Sequence, residues 1–137
     1  MGMVKIIGEY SGELHCTAVH GPSGAALTTD APKDNQGKGA SFSPTDLVAT
    51  ALATCAVTTL AIVARRNGVE MGPVKYEVTK EMTAEGPRRI ARLVLQLWLP
   101  PEAKQLPADV VKNAVERCPV HLSLAPEVAR VIELHWL

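Results

Sequence analysis

The spacing of apolar positions changes along the chain, and these changes predict alternating strands and helices. Short β-branched and alternating apolar runs, separated by Gly and Pro, predict three strands within residues 3–29. A long run of small apolar residues predicts a helix over residues 43–67. Alternation returns over residues 74–99, where Glu85-Gly86-Pro87 predicts the turn of a hairpin with one solvated face.

Both ends of the predicted long helix carry clear boundary signals. Ser43 can cap its N-terminus, Pro44 suits the first helical position, and Asp46 completes a capping box. At the other end, Arg65-Arg66 lies near the negative end of the helix dipole, and Asn67-Gly68 is a typical terminator. These signals predict a helix that begins and ends sharply.

The pattern after residue 99 predicts a shorter helix and a last strand. Pro100-Pro101 breaks the chain, and an amphipathic pattern predicts a helix over residues 106–117. The helix must end near Cys118, because the residue before a proline is disfavoured in helical conformation. Pro119 can then open a short helix with Cys118 as its cap, and residues 128–135 predict the final strand.

The order of elements predicts a single α+β domain spanning residues 1–137. At 47% hydrophobic residues the chain can bury a core. Its 14 basic and 14 acidic residues leave no basic excess, which argues against nucleic acid or an anionic membrane surface as a partner. Residues 47–64 form an uncharged run of 18, but its many Ala and Thr residues favour a buried central helix over a membrane span.

The three cysteines are the residues of this chain that most suggest catalytic chemistry. Three cysteines without a recognisable secretory leader predict a reducing, cytoplasmic location, where cysteine pairs are more often catalytic than structural. Cys16 lies on the apolar face of a predicted strand and is expected to be a core residue. Cys55 and Cys118 are too far apart in sequence for a local redox motif, so only the fold can bring them together.

The interpretation of Cys55 and Cys118 from their spacing alone stays open between inert thiols and a peroxide-reducing pair. Such a pair needs an attacking thiolate, stabilisation of the departing alkoxide, and a second thiol that condenses with the sulfenic acid. Cys55 is the candidate attacker, and its helical neighbours would form an apolar pocket: Val48, Ala51, Leu52, Thr58, Thr59 and Ile62. It lies too deep in the helix to benefit from the dipole, so another segment would have to bring a cation.

Metal and cofactor sites are not expected. Cys118 and His121 have a Cys-x-x-His spacing, but no second pair of ligands accompanies them, and a zinc site needs about four ligands. The segment Gly37-Lys38-Gly39 lacks the Ser or Thr that follows the lysine of a phosphate-binding loop.

Two motifs resemble the OsmC/Ohr family. The run from Phe42 to Cys55 is similar to the first cysteine helix of that family, and the run from Glu116 to Leu124 is similar to its second cysteine segment. The resemblance implies antiparallel sheets wrapped around a long central helix, in an intertwined homodimer with active sites at the subunit interface. It also implies reduction of organic hydroperoxides to alcohols by Cys55, with Cys118 resolving the intermediate as a disulfide. A dithiol, such as a lipoyl protein, would then restore the thiols.

The chain departs from the family pattern around the first cysteine. Active members have a glutamate ten residues before that cysteine, where this chain has Thr45, and no arginine precedes Arg65. Asp46 and Lys38 are therefore the candidate activating residues in this chain.

Three residues are predicted to contact the substrate: Phe42, Leu52 and Thr59. The alternative hypothesis is a non-enzymatic member that binds a small apolar ligand in the interface pocket, and a third possibility is a purely structural pair of thiols.

Overall fold

The computed structural model describes residues 2–137 and contains two compact units, the described residues up to Leu47 and the segment Val48–Leu137. The predicted α+β class is confirmed, with two small sheets and a central helix. The first unit contains the strands β1 (Ile6–Gly12), β2 (His15–His20) and β3 (Ala26–Asp30), followed by a 3₁₀ turn at Lys33–Asn35. Helix α1 (Pro44–Arg66) crosses the boundary, and the second unit continues with β4 (Lys75–Met82), β5 (Ile90–Leu99), a 3₁₀ turn at Pro101–Gln105, α2 (Ala108–Glu116), α3 (Pro119–Ser123) and β6 (Ala129–Trp136).

The first unit is an antiparallel sheet in the order β1-β2-β3. The turn between β1 and β2 places Glu13 and Leu14 in the left-handed region, with φ of 55° and 61°. Such a backbone matches the twist of the two strands it joins, which favours a tight hairpin. The preceding Gly12 has a φ of 90°, which only glycine adopts readily.

Asp30 ties the loop that follows the sheet back to the sheet. Its carboxylate lies 2.5 Å from Nδ1 of His15 and accepts a hydrogen bond of 2.9 Å from the backbone N–H of Ala40. The hydrogen bond from His15 is the main reason that the pKa of Asp30 lies below its usual value, and burial opposes it. Because the folded pKa is lowered, this contribution to stability is present above the unfolded pKa of Asp and is lost as the pH falls through the folded pKa.

The first unit buries no apolar side chain within its described residues. The two residues that it buries, Asp30 and Ser43, are both polar. Ile6, Ile7 and Tyr10 on β1 are 65%, 62% and 61% exposed. The sheet therefore presents uncovered apolar surface, which monomeric proteins usually keep small.

The predicted boundary signals of the long helix are present at both ends of α1. The Ser43 hydroxyl accepts a hydrogen bond from the Asp46 backbone at 3.1 Å, and the Asp46 carboxylate accepts one from the Ser43 backbone at 2.9 Å. This reciprocal pair is the predicted capping box. At the C-terminal end, Gly68 has a φ of 75°, and the N–H of Val69 bonds to the carbonyl of Ala64. This is the glycine-terminated helix end that Asn67-Gly68 predicts.

The core of the second unit is built from one face of α1, from β5 and from α2. From Leu93 onward, buried and partly buried residues alternate along β5, and Leu93, Leu95, Leu97 and Leu99 are fully buried. They pack with α1 residues such as Leu52 and Leu60 in one apolar cluster. The apolar positions of the chain thus specify which face of each element is buried.

The second sheet differs from the expected antiparallel arrangement in one strand pair. β4 and β5 form the predicted antiparallel hairpin, but β6 pairs with β5 in parallel. The chain leaves the end of β5 and returns through α2 and α3 before β6 begins. Such a crossover brings the next strand back in the same direction, so the pair must be parallel.

Helix α1 is long and apolar enough, by length and composition, to cross a bilayer, and it is the one such helix among the described residues. Core helices of globular domains meet the same criterion. Ala53, Ala56 and Leu60 of α1 are fully buried in the core of the second unit, which agrees with the predicted buried central helix.

Candidate active site

Cys55 lies in an open depression between α1 and the start of α3. The depression has a volume of about 430 Å³. Pro119 and Val120 of α3 line one side, and the other lining residues belong to α1: Ala51, Thr54, Cys55, Thr58, Thr59 and Ile62. None of these residues except Cys55 has an ionisable side chain, so the depression suits an uncharged, largely apolar molecule.

Cys55 is half-buried, and its sulfur lies on the edge of the depression. Its Sγ lies 3.9 Å from the hydroxyl oxygen of Thr59, which is one helical turn further along α1. A thiol must be reachable to react with a molecule from solvent. Of the two cysteines singled out by the sequence, Cys55 satisfies this condition.

Cys118 is fully buried and caps α3 as the sequence predicts. Its sulfur accepts a hydrogen bond of 3.4 Å from the backbone N–H of His121. Burial raises the pKa of Cys118, and the neighbouring Cys55 raises it further, against the lowering effect of backbone hydrogen bonds from His121 and Val120. Cys118 is therefore held as a neutral thiol beside Cys55.

The fold thus brings together the two cysteines that are distant in sequence. A reachable thiol next to a buried neutral thiol is the arrangement that allows a sulfenic acid formed on the first to condense with the second.

His121 does not provide a positive charge for this pair of thiols. Burial lowers the pKa of its imidazole, and the positive charge of Arg130 lowers it further, while Glu116 acts in the opposite direction. An imidazole with a pKa below its ordinary value is neutral at pH 7. The backbone of His121, rather than its side chain, acts on Cys118.

The candidate activating residues make contacts within the first unit. Asp46 forms the capping box with Ser43, and Lys38 donates a hydrogen bond of 3.0 Å to Glu13. Lys38 and Glu13 are both largely exposed, so this ion pair is weak and readily exchanged. The activating roles of Asp46 and Lys38 stay predictions.

The three residues predicted to contact the substrate lie in different surroundings. Thr59 lines the depression beside Cys55. Leu52 is 1% exposed and packs in the core, so it does not line this depression. Phe42 is half-exposed in the first unit, where its carbonyl accepts a hydrogen bond from the backbone of Asp30. Their contacts with a substrate stay predictions.

Two further sequence expectations concern Cys16 and metal binding. Cys16 is half-buried on β2 and pairs in register with Tyr10 and Thr29, so it is less enclosed than a core residue. Within residues 2–137, no group of three or more His, Cys, Asp or Glu side chains is arranged to hold a metal ion.

Sequence reasoning missed the contact between His15 and the buried Asp30. The two residues lie on different strands, and neither stands in a recognisable motif. Only the register of β2 against β3, which pairs them directly, brings them together.

Comparison with known proteins identifies the family. The family model described as OsmC-like protein matches residues 37–133. The structure is also similar to that of a candidate osmotic stress induced and detoxification response protein from Psychrobacter arcticus, with 37% identity, a TM-score of 0.87 and 98% of each chain covered. The chain belongs to the OsmC family.

Other OsmC-family structures share the fold at lower identity. An organic hydroperoxide resistance protein OsmC from Legionella pneumophila has 18% identity and a TM-score of 0.69, covering 98% of this chain and 99% of that chain. The organic hydroperoxide resistance protein OhrB of Bacillus subtilis has 20% identity and a TM-score of 0.67, and the match covers 97% of this chain and 98% of that chain. No curated protein matches the chain significantly. The predicted OsmC-like fold is therefore confirmed, and two of the structures that share it are named for organic hydroperoxide resistance.

Proposed function

We propose that this OsmC-family protein is a thiol-dependent peroxidase that reduces organic hydroperoxides to alcohols. The observation that carries the proposal is the placement of the half-buried Cys55, at an uncharged depression, next to the fully buried Cys118. The names of the Legionella and Bacillus relatives support the same class of substrate.

The proposed cycle uses both cysteines in turn. The Cys55 thiolate attacks one peroxide oxygen, the O–O bond breaks, and the alkoxide takes up a proton to leave as the alcohol. Cys55 is then a sulfenic acid. The Cys118 thiol condenses with it to form a disulfide and release water, and an external dithiol, such as a lipoyl protein, returns two electrons and two protons.

The different surroundings of the two thiols support the assignment of their roles. The attacking thiol must meet the peroxide, and Cys55 lines the depression. The resolving thiol must be protected from peroxide until the sulfenic acid forms, and Cys118 is fully buried with a raised pKa. Free cysteines also suit the reducing cytoplasm, which we propose as the location of the protein.

Counting free thiols tests the proposed function. Reduced wild-type protein, treated with a modest excess of cumene hydroperoxide, is expected to fall rapidly from its three free thiols per chain to one. Peptide mass spectrometry is expected to find the new disulfide between Cys55 and Cys118, with Cys16 still free. Persistence of all three thiols would contradict the proposal.

The same experiment separates the enzyme from the alternative function. A non-enzymatic member that binds a small apolar ligand is favoured by the uncharged lining of the depression and by Thr45, which replaces the family's glutamate. Such a protein would keep its thiols in the presence of peroxide. It would instead bind cumyl alcohol, the product, as well as it binds the hydroperoxide.

We also propose that the working form is a homodimer. The uncovered apolar side chains of the first unit support this assembly, since Ile6, Ile7 and Tyr10 are all more than half exposed in the single chain. Light scattering during size-exclusion chromatography is expected to give a mass twice the 14.6 kDa of one chain. A measured mass of one chain at micromolar concentration would contradict the proposed homodimer.

A further inference from the structure

Among residues 2–137, the side chains that line the depression around Cys55 include none with a positive charge. The other lining residues are uncharged, and the neighbouring Cys118 carries a second thiol. Cys118 is held neutral, and the adjacent imidazole of His121 has a lowered pKa. The side chains that line the depression can therefore stabilise a thiolate on Cys55 only as uncharged donors.

Thr59 is placed to be that donor. It follows Cys55 by four residues on α1, and helical side chains lean towards the N-terminus, so its hydroxyl points back to the preceding turn. The hydroxyl oxygen lies 3.9 Å from the Cys55 sulfur, within the range of hydrogen bonds to sulfur. The hydroxyl of Thr54, by contrast, donates to the carbonyl of Thr50 at 2.9 Å and is committed to the helix backbone.

We propose that Thr59 is a positioning residue that donates its hydroxyl hydrogen to the sulfur of Cys55 and so stabilises the attacking thiolate. A hydroxyl can accept a hydrogen bond from a neutral thiol and, after rotating, can donate one to a thiolate. The contact therefore persists when Cys55 loses its proton. Hydrogen bonds to an ionised partner are about twice as strong as neutral ones, so the contact favours the thiolate.

This role deepens the proposed function, because it rests on Cys55 being the attacking residue. It gives Thr59 a task that an apolar lining residue of the same shape cannot perform. Valine has nearly the same volume as threonine but no hydroxyl. Replacement by valine thus removes the hydrogen bond and leaves the shape of the depression nearly unchanged.

The test measures how the reactivity of Cys55 depends on pH in the full-length reduced protein, without peroxide. The rate of alkylation of Cys55 by iodoacetamide is followed by peptide mass spectrometry between pH 5 and 10. Thr59→Val is expected to move the midpoint of this profile up by about one pH unit, which slows alkylation at pH 7 about tenfold. Thr59→Ser, which keeps the hydroxyl, is expected to restore the wild-type profile.

Thr58→Val is the matched control, because Thr58 lines the same depression next to Thr59. This variant is expected to leave the midpoint of the profile in place, whatever it does to the absolute rate, since the contact with the sulfur is made by Thr59. The proposal is overturned if Thr59→Val leaves the midpoint in place, if Thr58→Val moves it equally, or if Thr59→Ser fails to restore it. If Thr59→Val does not fold, Thr59→Ala takes its place, since alanine removes the hydroxyl and suits a helix better.

The outcomes distinguish this role from the proposed function. A shifted alkylation profile without loss of thiols to cumene hydroperoxide would support the thiolate contact and contradict the peroxidase. Loss of thiols to peroxide with an unshifted profile in Thr59→Val would support the peroxidase and contradict the role of Thr59.

Discussion

Cys55→Ser is expected to abolish the loss of thiols to cumene hydroperoxide, whereas Cys118→Ser is expected to stop the reaction at a sulfenic acid on Cys55. A serine hydroxyl is hardly ionised at neutral pH and does not form a sulfenic acid, so no first step remains in Cys55→Ser. In Cys118→Ser the depression is intact, but the buried thiol that would condense with the sulfenic acid is missing. Dimedone labelling, read by peptide mass spectrometry, measures the trapped sulfenic acid.

Cys16→Ser provides the control for both variants. Cys16 lies on β2, in the first unit, and is expected to take no part in the cycle, so Cys16→Ser should form the disulfide at the wild-type rate. The assigned roles would be contradicted if dimedone labelled Cys118 in the Cys55→Ser variant as fast as it labels Cys55 in the Cys118→Ser variant. In Cys118→Ser, prolonged peroxide is expected to convert Cys55 irreversibly to the sulfinic acid, since nothing resolves the intermediate.

Leu95→Ala is expected to lower the free energy of unfolding by about 3 kcal/mol, within the roughly 2–5 kcal/mol typical of large-to-small core changes. Leu95 is fully buried on β5, the middle strand of its sheet, and belongs to the apolar cluster with α1. Truncating this side chain removes buried apolar surface and leaves a cavity. The cavity cannot readily close, because β5 is hydrogen-bonded to a strand on each side. Urea unfolding, followed at one fixed protein concentration, measures the change.

Val94→Ala is the matched control for the core variant. Val94 is the neighbouring residue on β5 but points to the other face of the sheet and is half-buried. Val94→Ala is expected to lower the free energy of unfolding by about 1 kcal/mol or less, because it removes fewer buried groups. Equal losses in the two variants would contradict the assignment of the two faces of β5. The concentration is kept fixed because the apparent stability of a protein that self-associates depends on its concentration.

Local signals in the sequence predict most of the secondary structure. The capping box of Ser43 and Asp46 and the glycine at the end of α1 involve residues within one turn of each other, so their chemistry can be recognised without the fold. The cap of α3 by Cys118 is equally local, since a proline follows it directly. The parallel pairing of β5 with β6 could not be predicted this way, because it depends on where α2 and α3 return the chain.

The candidate site was predictable in its residue types but not in its arrangement. The helical neighbours of Cys55 include both Leu52 and Thr59, and helical spacing alone places these two on the same side of the helix. Packing against β5 and α2 decides between them, because it buries Leu52 and leaves Thr59 beside the depression. The presence of Thr45 where active members of the family have a glutamate can be read from the sequence. The contact of Thr59 with the Cys55 sulfur requires side-chain positions.

The amino-acid sequence is enough to locate both ends of the long helix, the apolar faces of the strands and the two cysteines that could form a redox pair. These properties depend on residues that are neighbours along the chain. The burial of Cys118 as a neutral thiol beside a reachable Cys55 depends instead on how the elements pack. The reason is physical: the protonation and accessibility of a thiol depend on the side chains packed around it, and α1 and α3 come together only when the core closes.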